Sequence, residues 1–304
     1  MRKLVESFRT IEKKLFINPL IMNFAIINLG KDLFMNKYKL IALDIDGTLT
    51  NSKKQITPNT LKALLHLQEV GIKVVLASGR PTAGIKALSK ELKLDQHGSF
   101  ILSFNGAQVI NCKTNEVIYQ NIIPRHFIPQ LYAAAKKNNV GIISYEGDSI
   151  IAATPIDEYI EREAFINQLP IKEVSNFPDY ISFDVNKCLM TGESNYLAIV
   201  EERLKKEFGT KLNIYRSEPY FLEIMPQHID KAYSLRKLLE YLGLTKEEMI
   251  CCGDGFNDLS MIEYAGLGVA MANAQEKVRE IADYITLSND DDGIVHVIEK
   301  FILA

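Results

Sequence analysis

Residues 41–50 read I-A-L-D-I-D-G-T-L-T. The apolar run Leu40, Ile41, Ala42, Leu43 has the composition of a buried strand, and it stops at two carboxylates one residue apart. Strand side chains alternate faces, so Asp44 and Asp46 leave the strand on the same side. Two buried anions side by side repel, and each is costly to strip of water. A fold gains nothing from such a pair unless positive charge answers it. The simplest answer is a hard divalent cation such as Mg²⁺, which prefers oxygen ligands. Gly47 lets the chain turn sharply and brings backbone N–H groups towards a bound anion. The plain alternative is a strand that ends in a solvated Asp turn.

The rest of the composition narrows the function classes. A chain of 304 residues allows one large or two medium domains with a sizeable core. A hydrophobic fraction of 47% with 24% charged residues is that of a soluble globular protein. The net charge of −3 offers no basic field for nucleic acid. Cys112, Cys188, Cys251 and Cys252 show no C-x-x-C spacing and read as reduced thiols of a cytoplasmic protein, with neither a disulfide framework nor a zinc site. Residues 1–34 differ in texture: a basic amphipathic stretch, then an apolar run broken by Pro19, Asn23 and Asn28. That run is too short and too polar to span a bilayer, so the segment is expected to be a peripheral extension and no membrane partner is expected.

From Lys39 onward, strand-like and helix-like segments alternate. Thr57-Pro58 reads as a helix cap followed by proline at the first helical position, with Gly71 as the stop. Strands are expected at Ile72–Ala77 and Phe100–Phe104, with a helix at Thr82–Leu92. The pattern returns near the C-terminus. Asp230 caps a helix ending at Gly243, Met249–Cys252 is a buried strand, and Asp290 to Asp292 supply an N-cap for the last helix from Gly293. This alternation predicts an α/β fold with a doubly wound, Rossmann-like parallel sheet whose ligands sit beyond the carboxyl ends of the strands. Between the halves, prolines punctuate a mixed segment with strands expected at Gly141–Tyr145 and Ile181–Val185. It reads as an inserted α+β domain over 120–218, with the core formed by 35–119 and 219–304.

The polar groups gather at separated strand ends: Asp44 and Asp46; Ser78 with Arg80; Lys231; and Asp254, Asn257 and Asp258. D-I-D-G-T, A-S-G-R, a lysine early in a helix and G-D-G-F-N-D, in that order, resemble the haloacid dehalogenase-like superfamily of phosphohydrolases. The S-F-N-G-A turn at 103–107, the F-L-E-I-M-P run at 221–226 and the large insert resemble its Cof-type branch, in which the insert is a cap. The resemblance covers about Lys37 to the C-terminus.

What the resemblance implies is specific. Asp44 is expected to be the nucleophile that forms an aspartyl-phosphate, and Asp46 the general acid and base. Mg²⁺ is expected at Asp44, Asp46 (through its carbonyl), Asp254 and Asp258, the last orienting Lys231 or a metal-bound water. Ser78 is expected to bond a phosphoryl oxygen and Lys231 to neutralise charge on the transferring group. Gly47, Arg80, Asn105, Gly106 and Asn257 are expected to bind substrate. Glu146, Arg216, Ser217 and Glu218 are placed near the leaving group. None of His66, His97, His126, His228 and His296 is assigned to catalysis. The reaction implied is hydrolysis of a small phosphorylated metabolite, such as a sugar phosphate, by a monomer or weak homo-oligomer. A phosphomutase on the same scaffold, or a non-catalytic regulator that keeps the fold, remains open at this point.

Overall fold

Leu40–Leu43 does become a strand, and every residue of it is buried. In the computed structural model, which describes residues 37–303, it sits inside an eight-stranded sheet. Residues 1–34 lie outside the described residues. The first five strands are β1 Leu40–Leu43, β2 Lys73–Ala77, β3 Phe100–Ser103, β4 Gln108–Asn111 and β5 Val117–Gln120. Six follow in the insert: β6 Gly141–Glu146, β7 Ser149–Ala152, β8 Ile171–Glu173, β9 Cys188–Thr191, β10 Leu212–Glu218 and β11 Phe221–Pro226. The last three are β12 Met249–Gly253, β13 Leu267–Ala270 and β14 Tyr284–Ile285.

The first sheet has the order β14-β13-β12-β1-β2-β3-β4-β5, parallel from β14 to β3 and antiparallel beyond. A strand buried between layers of helices reads as a continuous apolar run, which is the texture of Leu40–Leu43 and Met249–Cys252. The second sheet has the order β10-β11-β9-β6-β7-β8 and forms the cap of this Rossmann-like core.

Local signals set the helix ends. Thr57 accepts the amide of Thr60 at 3.2 Å with Pro58 at the first position of helix Pro58–Glu69. Asp230 accepts the amide of Tyr233 at 2.7 Å and starts helix Lys231–Leu242, which Gly243 ends at φ 66°.

Three expectations need correction. Ile181–Val185 forms no strand. Its inward alternation is real, since Ile181 and Val185 are buried, but it joins no ladder among the described residues. The Val185 carbonyl instead accepts from the amide of Ile123 at 2.7 Å. The expected return to the core at 219 falls inside the β10–β11 hairpin, because β11 is an interior strand of the second sheet, paired on both sides. Finally, Asp292 stands before helix Gly293–Phe301 at φ 55° without capping it by its side chain. Its carboxylate instead reaches the start of helix Pro58–Glu69, accepting from Asn59 at 2.7 Å, from Thr60 at 3.1 Å and from the Thr57 hydroxyl. Asp290 likewise accepts from the backbone and hydroxyl of Ser52.

Candidate active site

Because β12, β1 and β2 are parallel neighbours, the residues that follow them converge at one edge of the sheet. Asp254 follows β12, Asp44 follows β1 and Ser78 follows β2. Above this edge lies a cleft of about 2130 Å³, walled by both sheets and lined by Asp44, Asp46, Ser78, Arg80, Lys231 and Asp254, among others.

Lys231 organises the floor. It is wholly buried, yet its ammonium donates to Asp44 Oδ1 at 2.7 Å, Asp258 Oδ1 at 2.6 Å and the Ala77 carbonyl at 2.8 Å. Burial pulls a lysine down, but here Asp258 and Asp44 outweigh it and hold Lys231 charged. Oδ2 of Asp258 accepts the backbone amides of Asp254 at 3.0 Å and Gly255 at 2.9 Å. Both Asp258 oxygens are therefore engaged by the chain itself, and Asp258 fixes Lys231 and the Asp254 loop.

Asp44 is 7% exposed. Lys231 takes Oδ1, and Oδ2 carries no hydrogen bond among the described residues. Burial first, and the neighbouring charge of Asp258 second, push its carboxyl up to about 8 against the pull of Lys231. Burial likewise raises Asp254 to about 6, although Thr48 donates to its Oδ1 at 2.7 Å. One oxygen each of Asp44, Asp254 and Asp258 lie within 4.8 Å of one another. A Cβ on Gly47, which sits at φ 89°, would come within 2.4 Å of Asp254 Oδ2. The two loops meet so closely only because glycine stands there. Gly47 does not line the cleft; its carbonyl accepts from Asn273 at 2.8 Å.

Asp46 differs from the expectation of two buried anions. Its side chain is 38% exposed, and its positive partners are side chains. Arg80 grips it with two bonds, Nε to Oδ2 at 2.8 Å and Nη2 to Oδ1 at 2.7 Å, and Lys54 donates to Oδ1 at 2.9 Å. Burial pulls this carboxyl up, but Arg80 and Lys54 prevail and hold it below its ordinary value. Arg80 is thus a partner of Asp46 in this arrangement. Ser78 is buried, and its hydroxyl accepts the Arg80 amide at 3.2 Å.

Asn105 and Asn257 meet at 3.1 Å on the cleft wall, and Asn105 also donates to the Tyr215 hydroxyl at 2.9 Å. Gly106 is not a wall residue. At φ 104° it packs under helix Lys231–Leu242, where a Cβ would lie 2.5 Å from the Asp230 carbonyl. Arg216, Ser217 and Glu218 line the cleft. Glu146 does not; it accepts from Tyr180 at 2.6 Å elsewhere in the cap. No histidine lines the cleft among the described residues. Sequence reasoning missed Thr48, Lys54, Lys187, Tyr215 and Glu223. Thr48 lies inside the first motif and could have been read there. The others carry no local signal.

A Rossmann-like core with an inserted cap, and acidic groups, a buried lysine and a serine at adjoining strand ends, define a capped hydrolase for phosphate esters. Residues 41–298 match the family model for haloacid dehalogenase-like hydrolases, and the chain belongs to that family. Its class is that of phosphoric monoester hydrolases. A solved haloacid dehalogenase-like hydrolase from Bacteroides thetaiotaomicron is 50% identical, with a TM-score of 0.84 over 86% of this chain and 99% of that one. A Bacillus subtilis relative, the 5-amino-6-(5-phospho-D-ribitylamino)uracil phosphatase YcsE, is 32% identical over 265 residues, which is 87% of this chain and 96% of that protein. The solved subclass IIB sugar phosphatase BT4131 is 29% identical, with a TM-score of 0.73 over 86% of this chain and 98% of its own. Among the described residues, no helix is long and apolar enough to cross a membrane.

Proposed function

We propose that this protein hydrolyses the phosphate monoester of a small hydroxylated metabolite, a sugar phosphate or a molecule of similar size, through an aspartyl-phosphate on Asp44. One observation carries the reading: a buried carboxylate on the cleft floor with one oxygen fixed by Lys231 and the other without a hydrogen bond.

The residues divide the work. Oδ2 of Asp44 attacks phosphorus as the bond to the leaving alcohol breaks. Ser78 donates its hydroxyl hydrogen to one phosphoryl oxygen, and the Lys231 ammonium offsets charge on the transferring group. Asp46 delivers a proton to the leaving oxygen, then takes one from the water that attacks the aspartyl-phosphate. Inorganic phosphate departs and the Asp44 carboxylate is restored. Arg80 and Lys54 hold Asp46 as the base; the acid half of its role requires that grip to open as substrate enters. Asn105 and Asn257 face the same space, and the cap excludes water over it.

The donor set fits Mg²⁺. Asp44 and Asp254 offer hard oxygens a few ångströms apart, and their raised carboxyls mark a site short of positive charge. Asp44, Asp254 and the Asp46 carbonyl would hold the ion, which would screen these carboxylates from the phosphoryl oxygens. Reduced, unpaired cysteines support a cytoplasmic protein, and we take it to act as a monomer or weak homo-oligomer.

Purified protein should release phosphate from p-nitrophenyl phosphate with Mg²⁺, lose that activity in a chelator, and lose part of it when Ca²⁺ replaces Mg²⁺. Full activity in the chelator overturns the metal assignment. Formation of an isomer without free phosphate from a sugar phosphate converts the reading to a mutase.

A further inference from the structure

Lys187 and Glu223 are the least explained charges in the cleft. Both line it, and they are 3% and 5% exposed. Glu223 lies opposite Leu189 where β11 pairs with β9, so the antiparallel register brings it beside Lys187, the residue just before β9. Their contact is loose. The Lys187 ammonium is 3.3 Å from Glu223 Oε1 and 3.0 Å from Oε2, yet Oε2 lies off the hydrogen-bonding direction and has no hydrogen-bond partner. Oε1 accepts from Ser217 at 2.8 Å. Lys187 also points to the Gly79 carbonyl at 3.5 Å, and its ammonium lies 5.2 Å from the centre of the Tyr145 ring.

Stability does not account for this pair. A buried ion pair is often no better than apolar residues of the same volume, and an unbonded buried carboxylate oxygen carries an uncompensated cost. The position suggests its use. Gly79 is the residue after Ser78, so Lys187 stands one step from the expected phosphoryl site, on the side of the cap. That is where a leaving group attached to the phosphorus extends.

Resting on the phosphatase reading above, we propose that Lys187 and Glu223 are specificity residues that recognise hydroxyl groups of an uncharged polyol leaving group. A hydroxyl both donates and accepts. Lys187 supplies a donor and Glu223 Oε2 a buried, unpaired acceptor, side by side, so one hydroxyl or a vicinal pair satisfies both. A second phosphate or a carboxylate on the leaving group meets the Glu223 charge and is disfavoured, as is a leaving group without hydroxyls.

The test compares wild type with Glu223→Gln, Lys187→Met and the neutral double variant Lys187→Gln/Glu223→Gln. Substrates are a panel of hexose and hexitol monophosphates, glucose 1,6-bisphosphate and p-nitrophenyl phosphate. Wild type should prefer members of the monophosphate panel. In each variant kcat/KM for the preferred esters should fall at least about tenfold more than for p-nitrophenyl phosphate, mainly through KM, as expected for lost ground-state contacts. Glu223→Gln should also raise turnover of the bisphosphate relative to the monophosphates by about threefold or more. Where a single variant fails to fold, the double variant gives the same ratios. Equal losses on all esters, or unchanged ratios, overturn the inference and leave the phosphatase reading standing. No phosphate release by wild type from any ester overturns both.

Discussion

Two buried lysines line the cleft, one from the core and one from the cap, and they are built differently. Lys231 in the core meets three acceptors at 2.6–2.8 Å, and its partner Asp258 has both oxygens occupied. Lys187 in the cap meets its hydrogen-bond acceptors at 3.3–3.5 Å, and the carboxylate oxygen 3.0 Å from its ammonium has no hydrogen bond. A saturated charge network is rigid and holds its shape before substrate arrives, which is what transition-state stabilisation asks of a site. A network left with slack has capacity for a ligand. On the proposed reading, the contrast separates the region that does chemistry from the region that chooses what undergoes it.

Several measurements would break or sharpen that contrast. The largest effect belongs to Asp44→Asn, which is nearly isosteric and removes the proposed nucleophile. Turnover should fall by at least about three orders of magnitude while the far-ultraviolet circular dichroism is kept. Substantial residual activity would move the chemistry away from the core floor. Next comes Lys231→Met, which strands Asp44 and Asp258 without their cation. A loss of about 3–5 kcal/mol in urea unfolding is expected. Lys187→Met should cost less, about 2 kcal/mol, because its bonds are longer and its partner is already partly unbonded. Equal costs for the two lysines would erase the distinction. The smallest effect concerns Asp292. Burial pulls its carboxyl up, but Thr57, Asn59 and Thr60 hold it below its ordinary value. Its contribution is complete above the unfolded value of about 3.9 and vanishes as pH falls through the lower native value. Asp292→Asn, which tolerates the left-handed backbone there, should lower the melting temperature by about 1–2 °C at neutral pH. Below the native value the difference should close.

How much of this was legible in the sequence follows from which interactions are local. β1, β2 and β12 announced themselves as apolar runs that stop at polar residues, and parallel pairing then forces Asp44, Ser78 and Asp254 together. Thr57, Asp230 and Gly243 were readable because a cap acts within a few residues. Partners set by tertiary approach were not. Nothing in the loop after Thr50 marks Lys54 as a partner of Asp46. Lys187 and Glu223 are joined only by the register of β9 against β11, which no local pattern encodes. Asp292 was assigned to its own helix because sequence favours the neighbour, whereas the αL backbone at φ 55° leaves its carboxylate bonded to Thr57, Asn59 and Thr60. Asp46 was expected to share a cation with Asp44 because both follow one strand. The turn at Gly47 and the reach of Arg80 and Lys54 gave its carboxylate separate partners.

The order of strands also has a consequence for the chain as it is made. β1 lies between β2 and β12, with Leu40 opposite Met249. A ribosome adding about 5–20 residues per second must therefore work for about 10–40 s before β1 gains its second neighbour. The cap sheet, by contrast, is drawn from one unbroken stretch from Gly141 to Pro226 and can close while β1 still waits. Lys231, Asp254 and Asp258 emerge after it, and the Asp290 and Asp292 contacts back to residues 52–60 come after those. In a nascent chain of this protein the strands of the cap sheet are therefore all present before Lys231 and Asp254, on which the proposed chemistry rests, have been added.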